Sequence, residues 1–191
     1  MARPERVLFV CTANQGRSPM AEALLRARLA RQGMEGAVEV SSAGLWEGGF
    51  PVSKPVLRAV AERGGDLRRH RSRRVTAEMA RDAELVIGLA REHVHEVVAL
   101  DPGLAPRTFT LKGLARHVAG LPARPAGQAL ADYVASDRVA ADRVVDADPD
   151  DDVEDPYGRP VSAVAETADE IAALLDRIVP RLWPPPVMAD P

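Results

Sequence analysis

The stretch Val7-Leu8-Phe9-Val10-Cys11-Thr12-Ala13-Asn14-Gln15-Gly16-Arg17-Ser18-Pro19 restricts the fold more than any other part of the chain. Val7 to Val10 form a bulky apolar run of the kind that suits a strand buried on both faces. Met20, Leu24 and Ala27 then recur at helical spacing, with Ala21 and Leu25 beside them, so an amphipathic helix should follow. Between strand and helix lies a short polar loop that starts at Cys11, with five residues separating the cysteine from Arg17.

A loop of that length can curl so that the N–H groups of Thr12, Ala13, Asn14, Gln15, Gly16, Arg17 and Ser18 point inward. With the positive end of the helix they would make a nest for a tetrahedral oxyanion. Cys11 would lie at its floor, where the same field favours the thiolate, the nucleophilic form of the side chain. Arg17 offers a planar fork that can hold two equatorial oxygens. Ser18 is expected to cap the helix and to offer its hydroxyl to the thiolate. Pro19 fits the first turn, where no backbone N–H is needed. A buried structural cysteine at a strand end is the plainer alternative, since cysteine is among the most buried residue types. The glycine pattern of a dinucleotide site is absent.

Cys11 to Pro19 resembles the Cys-x5-Arg-Ser-Pro signature loop of the low-molecular-weight protein tyrosine phosphatases, and it lies near the N-terminus as theirs does. Many members have glycine where this chain has Ala13, and many carry a second cysteine where it has Gly16. A second match lies far along the chain. By composition Asp155-Pro156-Tyr157 is an ordinary turn, but it matches the family's Asp-Pro-Tyr loop, which supplies the general acid. Ser42-Ala43-Gly44 matches a family motif whose serine hydrogen-bonds the phosphate loop. His70 matches a histidine that supports the loop asparagine, here Asn14. Asn14 suits such support because a residue held at positive φ is strained and asparagine tolerates it when tied down. Trp46, with Phe50 on the same glycine-rich loop, and Tyr157 are candidate pocket walls, although aromatic residues there can equally pack a loop down.

Composition sets the bounds. At 191 residues, one domain is the prior. The net charge of −3 gives no hint of nucleic-acid binding. A single cysteine excludes an intramolecular disulfide and fits a reducing cytoplasm. No segment suggests export or membrane spanning. Only Lys54 and Lys112 are lysines among 25 basic residues, a bias that fits a GC-rich bacterial genome.

Along the chain, strands are expected at 38–40, 85–89 and 107–111. Helices are expected at 54–63, 91–100 and from Lys112 to before Gly120, with Thr76 capping a short one. Arg68 to Arg74 is strongly basic, either a solvated face or an attraction for an anionic phosphoprotein. His93 and His95 stand two apart, which argues against a metal pair and for surface positions. Residues 120–150 read as an insertion, with a helix over Ala129–Val145. The acidic run Asp146 to Asp152 lacks the glycine and glutamate of a calcium loop; with Glu154 it should crowd Asp155 with like charge. Val164, Ala168, Ile171, Leu175 and Ile178 trace a long C-terminal helix capped by Ser162 and ended or kinked by Pro180.

Strands alternating with helices predict an α/β fold with a parallel sheet. The resemblance implies four strands in order 2-1-3-4, one domain over 1–183 and a flexible tail over 184–191. It implies a phosphomonoester hydrolase that uses no metal or other cofactor and acts on a phosphotyrosine protein or small phosphoester. In that chemistry Cys11 is the nucleophile, Arg17 the phosphate clamp and Asp155 the acid. Such an enzyme would be cytoplasmic, free of nucleic acid and membrane, and a monomer or weak homodimer. Two alternatives remain at this stage: an arsenate reductase using an external thiol, and a non-catalytic phosphate-binding module.

Overall fold

A computed structural model describes residues 3–136 and 148–185. Four parallel strands, β1 (Glu5–Cys11), β2 (Val38–Gly44), β3 (Leu85–Gly88) and β4 (Thr108–Thr110), form one sheet in the order β2-β1-β3-β4, the order the resemblance implied. The central β1 explains the apolar run. Val7, Phe9 and Cys11 enter one hydrophobic cluster and Leu8 and Val10 the other, because successive side chains leave a strand on opposite faces. Each large side chain so buried contributes about 1.5–3 kcal/mol.

Helix α1 (Arg17–Arg31), α2 (Lys54–Ala61) and the C-terminal helix cover the first face. Helices α3 (Ala77–Asp82) and α4 (Arg91–Leu100) cover the second. α1 is buried almost all round over its first turns, and Ala27 is only half buried. Arg28 is buried instead, its guanidinium 2.7 Å from Asp176 Oδ1 and donating to the carbonyls of Leu24 and Ala172 at 3.1 and 2.9 Å. Thr76 caps α3 as expected, its Oγ1 accepting from the Met79 N–H at 3.2 Å.

Helix α5 (Leu111–Ala119) and the short α6 (Leu130–Ala135) follow β4. Leu130, Tyr133 and Val134 enter the main core, so this part of the expected insertion is packed rather than peripheral. The helix expected over 129–145 ends at Ala135, with Ser136 in extended conformation; 137–145 lie outside the described residues. The last helix, α7 (Val161–Leu182), buries Ala168, Ile171, Leu175 and Ile178 as the spacing required. One expectation fails there, and one of the two outcomes expected of Pro180 is excluded. Ser162 does not cap α7: the helix starts at Val161 behind Pro160, with no side-chain cap. Pro180 does not end it, because Trp183 N–H still donates to the Val179 carbonyl at 2.8 Å. Trp183 is buried and its Nε1 donates to Glu5 Oε2 at 2.8 Å, tying the end of α7 to the start of β1. Among the described residues, no helix is long and apolar enough to cross a membrane.

Candidate active site

Five residues join Cys11, the last of β1, to Arg17, the first of α1. They turn over the end of β2, where Gly44 lies opposite Cys11 in the register. A Cβ on Gly44 would stand 2.7 Å from Asn14 N and 2.8 Å from the Thr12 carbonyl, so only glycine lets the loop settle there. Leu45 N–H donates to the Thr12 carbonyl at 2.8 Å and holds the loop down.

Asn14 has φ of 52° and is fully buried. A left-handed non-glycine residue costs on the order of 1–3 kcal/mol and persists only when its surroundings hold it. Its side chain is fully committed. Nδ2 donates to Ser18 Oγ at 3.0 Å and to Ser42 Oγ at 2.8 Å, and Oδ1 accepts from the Arg73 N–H at 3.0 Å. His70 Nε2 lies 2.9 Å from the Asn14 carbonyl. His70 therefore supports the backbone of Asn14, while Ser18, Ser42 and Arg73 hold its side chain.

Both N–H bonds of Asn14 Nδ2 are used, so Ser18 Oγ is an acceptor from that side. Its own hydroxyl donates to the Ala43 carbonyl at 3.2 Å, and it lies 2.9 Å from Cys11 Sγ, a contact in which either atom can be the donor. Ser18 does not cap α1, because it lies within the helix and is buried; Gly16 holds the cap position without a side-chain bond. Ser42 Oγ in turn donates to Glu22 Oε2 at 2.5 Å. Glu22 was missed in the sequence. Its only signal is an acid one helical turn beyond Ser18, on the face of α1 that the sheet buries.

Arg17 is 6% exposed. Nη1 donates to the Val153 carbonyl at 3.0 Å; Nη2 donates to Thr12 Oγ1 at 3.2 Å and lies 2.5 Å from Asp155 Oδ2. Tyr157 N–H donates to Asp155 Oδ1 at 3.0 Å, the local turn that proline and aspartate favour. Val153 N–H donates to the Leu89 carbonyl at 2.9 Å, which fixes the acid loop to the end of β3. Three of the acids near Asp155 in sequence are paired with arginines. Asp151 pairs with Arg116, Asp152 with Arg91 at 3.3 Å and Glu154 with Arg159. Burial opposes the charge on Asp152, but hydrogen bonds from the Arg91 backbone and guanidinium outweigh it and hold the carboxyl below its usual range. No cluster of His, Cys, Asp or Glu suited to a metal occurs among the described residues.

The histidines of α4 divide. His95 is exposed, as expected. His93 is not: it is fully buried, with Nε2 3.0 Å from Thr12 Oγ1. Burial first, and the charge of Arg17 second, push it down to about 4. Two residues of spacing on a helix separate faces, and only one of those faces is solvated.

A pocket of about 480 Å³ opens over the loop, lined by Cys11, Thr12, Ala13, Gln15, Gly16 and Arg17 below. Trp46, Asp155 and Tyr157 are among its upper walls. Trp46 and Tyr157 are 64% and 93% exposed, and Phe50, also exposed, does not line the pocket. A thiol at the floor, a guanidinium beside it and a carboxyl at the mouth suit in-line displacement at a phosphoryl group.

Known proteins resemble this chain in sequence and fold. The model of the low molecular weight phosphotyrosine protein phosphatase family matches residues 6–120. A protein-arginine-phosphatase from Geobacillus stearothermophilus is 30% identical over 179 residues, covering 94% of this chain and 97% of that protein. The low molecular weight protein-tyrosine-phosphatase Etp of Escherichia coli K12 is 38% identical over 106 residues, 54% of this chain and 66% of Etp. The crystal structure of a low molecular weight protein tyrosine phosphatase from T. tengcongensis superposes with a TM-score of 0.70 at 32% identity, over 93% of this chain and 99% of that one. The chain belongs to the low molecular weight phosphotyrosine protein phosphatase family of phosphomonoester hydrolases.

Proposed function

We propose that the chain removes phosphate from phosphotyrosine in proteins through a cysteinyl-phosphate, with Cys11, Arg17 and Asp155 as its catalytic residues. The observation that carries this reading is one pocket holding Cys11 at its floor, the Arg17–Asp155 pair at its side and Trp46 and Tyr157 at its mouth. The thiolate of Cys11 attacks phosphorus in line, and the bond to the phenolic oxygen breaks. Loop N–H groups and Arg17 stabilise the equatorial oxygens. Asp155, as the acid, passes its proton to the leaving oxygen. The resulting carboxylate then takes a proton from water. The water oxygen attacks phosphorus, the S–P bond breaks, and thiolate and inorganic phosphate are released. The phosphate dianion competes with Asp155 for Arg17, so substrate binding itself frees the carboxyl to receive a proton. Trp46 and Tyr157 line this pocket and offer aromatic surface to a phenyl ring. The lone cysteine supports work in a reducing cytoplasm.

Phosphoarginine is the second reading. It is favoured by the similarity to a protein-arginine-phosphatase over nearly the full length of both chains, and a planar guanidinium also stacks on aromatic faces. Matched phosphotyrosine and phosphoarginine peptides separate the two. A higher kcat/KM on phosphotyrosine is expected. A higher value on phosphoarginine overturns the first reading in favour of the second. Thiol-dependent formation of arsenite without phosphatase turnover would overturn both.

A further inference from the structure

His93 sits beside the loop yet has no part in the chemistry above. β3 ends in Gly88, where a Cβ would come 2.9 Å from Val94 Cγ2 and 3.1 Å from His93 Cβ, so glycine there lets α4 press against the strand. That packing carries the His93 ring to Thr12. Its Nε2 also lies 3.2 Å from Glu92 Oε1, while Nδ1 is buried without a partner. A carboxylate oxygen beside Nε2 favours the proton on that nitrogen. The other tautomer would bury an orphan N–H, costlier than an unused lone pair. Thr12 Oγ1 then accepts from His93 Nε2 and from Arg17 Nη2, and donates to Glu92 Oε1 at 3.3 Å. Both acceptor sites and the one hydrogen of the hydroxyl are committed.

We propose that His93 is a positioning residue for phosphoryl transfer: it fixes the Thr12 hydroxyl, which fixes the Arg17 guanidinium where equatorial oxygens bind. The proposal rests on the reading of Arg17 as the phosphate clamp. When phosphate displaces Asp155 from Nη2, two protein acceptors still set the guanidinium plane, the Val153 carbonyl on Nη1 and Thr12 Oγ1 on Nη2. Val153 O is fixed by backbone; Thr12 Oγ1 is on a side chain and needs a second anchor. Burial keeps that anchor neutral, so it does not repel the guanidinium.

The test compares His93→Leu, which keeps bulk and removes the donor, with His93→Gln, which restores an N–H at similar reach. In His93→Leu, kcat/KM for p-nitrophenyl phosphate should fall and the vanadate inhibition constant should rise, each roughly tenfold. His93→Gln should recover most of both, at an unchanged melting temperature. Combined with Thr12→Val, His93→Leu should have no further effect, since it acts through that hydroxyl. Wild-type constants in His93→Leu, additive losses in the double variant, or no recovery in His93→Gln would overturn the proposal. If His93→Leu fails to fold, His93→Met, which also lacks a donor, takes its place: weakened vanadate binding that Thr12→Val does not add to upholds the proposal, and wild-type binding overturns it. An error in the clamp reading shows separately, as vanadate affinity retained in Arg17→Ala.

Discussion

Arg17 Nη2 lies 2.5 Å from Asp155 Oδ2, joining the phosphate loop to a carboxyl 138 residues away. In the proposed mechanism the pair occupies the nitrogen that an incoming phosphoryl oxygen needs. Asp155→Asn should therefore lower turnover of phosphotyrosine by about 10²–10⁴-fold while leaving vanadate affinity unchanged or tighter, because the competing carboxylate charge is gone. The loss should be smaller for p-nitrophenyl phosphate, whose leaving group needs little protonation. Initial rates on both substrates, with vanadate competition, check it. Equal losses on both would place the acid elsewhere.

Two glycines give a geometric contrast. Gly44→Ala would push a Cβ into the backbone of the loop at Thr12 and Asn14, whereas a Cβ at Gly16 meets nothing within 4 Å. Gly44→Ala should cut turnover sharply and lower the melting temperature, and Gly16→Ala should do much less of either. Equal effects in steady-state kinetics and thermal melts would show that the loop does not rest on β2 as described.

The depressed pKa of His93 ties stability to pH. The folded ring takes a proton near 4 and an ordinary histidine near 6.5. Between those values the unfolded chain binds more protons, so stability falls as pH drops through that window, by up to about 3 kcal/mol. Urea unfolding at pH 7 and pH 4.5 should show the loss in the wild type and less of it in His93→Leu. An identical slope in both would mean that His93 is not buried neutral.

Oxidation should be simple chemically. Cys11 is the only cysteine, so peroxide must leave sulfenic or higher acids, or a mixed disulfide with added thiol. Gly16→Cys should make inactivation reversible by dithiothreitol, since the position has room for a side chain. Peptide mass spectrometry after peroxide checks this, and irreversible loss in Gly16→Cys at the wild-type rate would count against it.

How far these features were legible in the sequence depends on how local they are. The Val7–Val10 run, the loop after it and the stripe on α7 are written in neighbouring residues, and the structure has them in place. The strand order and the pairing of Cys11 with Asp155 came through the resemblance, because no local pattern encodes a contact across the fold. Glu22 and His93 were missed for a related reason: one is a carboxylate among helical apolar residues, the other a histidine on a helix that looked solvated. Each acquires its meaning from a partner, Ser42 or Thr12, that only tertiary packing supplies. Asp151, Asp152 and Glu154 read as free charge in the same way, since their countercharges Arg116, Arg91 and Arg159 lie on other segments or beyond the acids themselves. Ser162 misled because Pro160 already fixes the entry to α7.

The most direct measurement is the covalent state of Cys11 during turnover. Acid quench of the enzyme with p-nitrophenyl phosphate, followed by peptide mass spectrometry, should find phosphate on the Cys11 peptide. More should accumulate in Asp155→Asn, where the base for hydrolysis is missing. Cys11→Ser should show no turnover yet still bind vanadate through the loop amides and Arg17. Phosphate on another residue, or turnover near wild type in Cys11→Ser, would contradict the cysteinyl-phosphate mechanism.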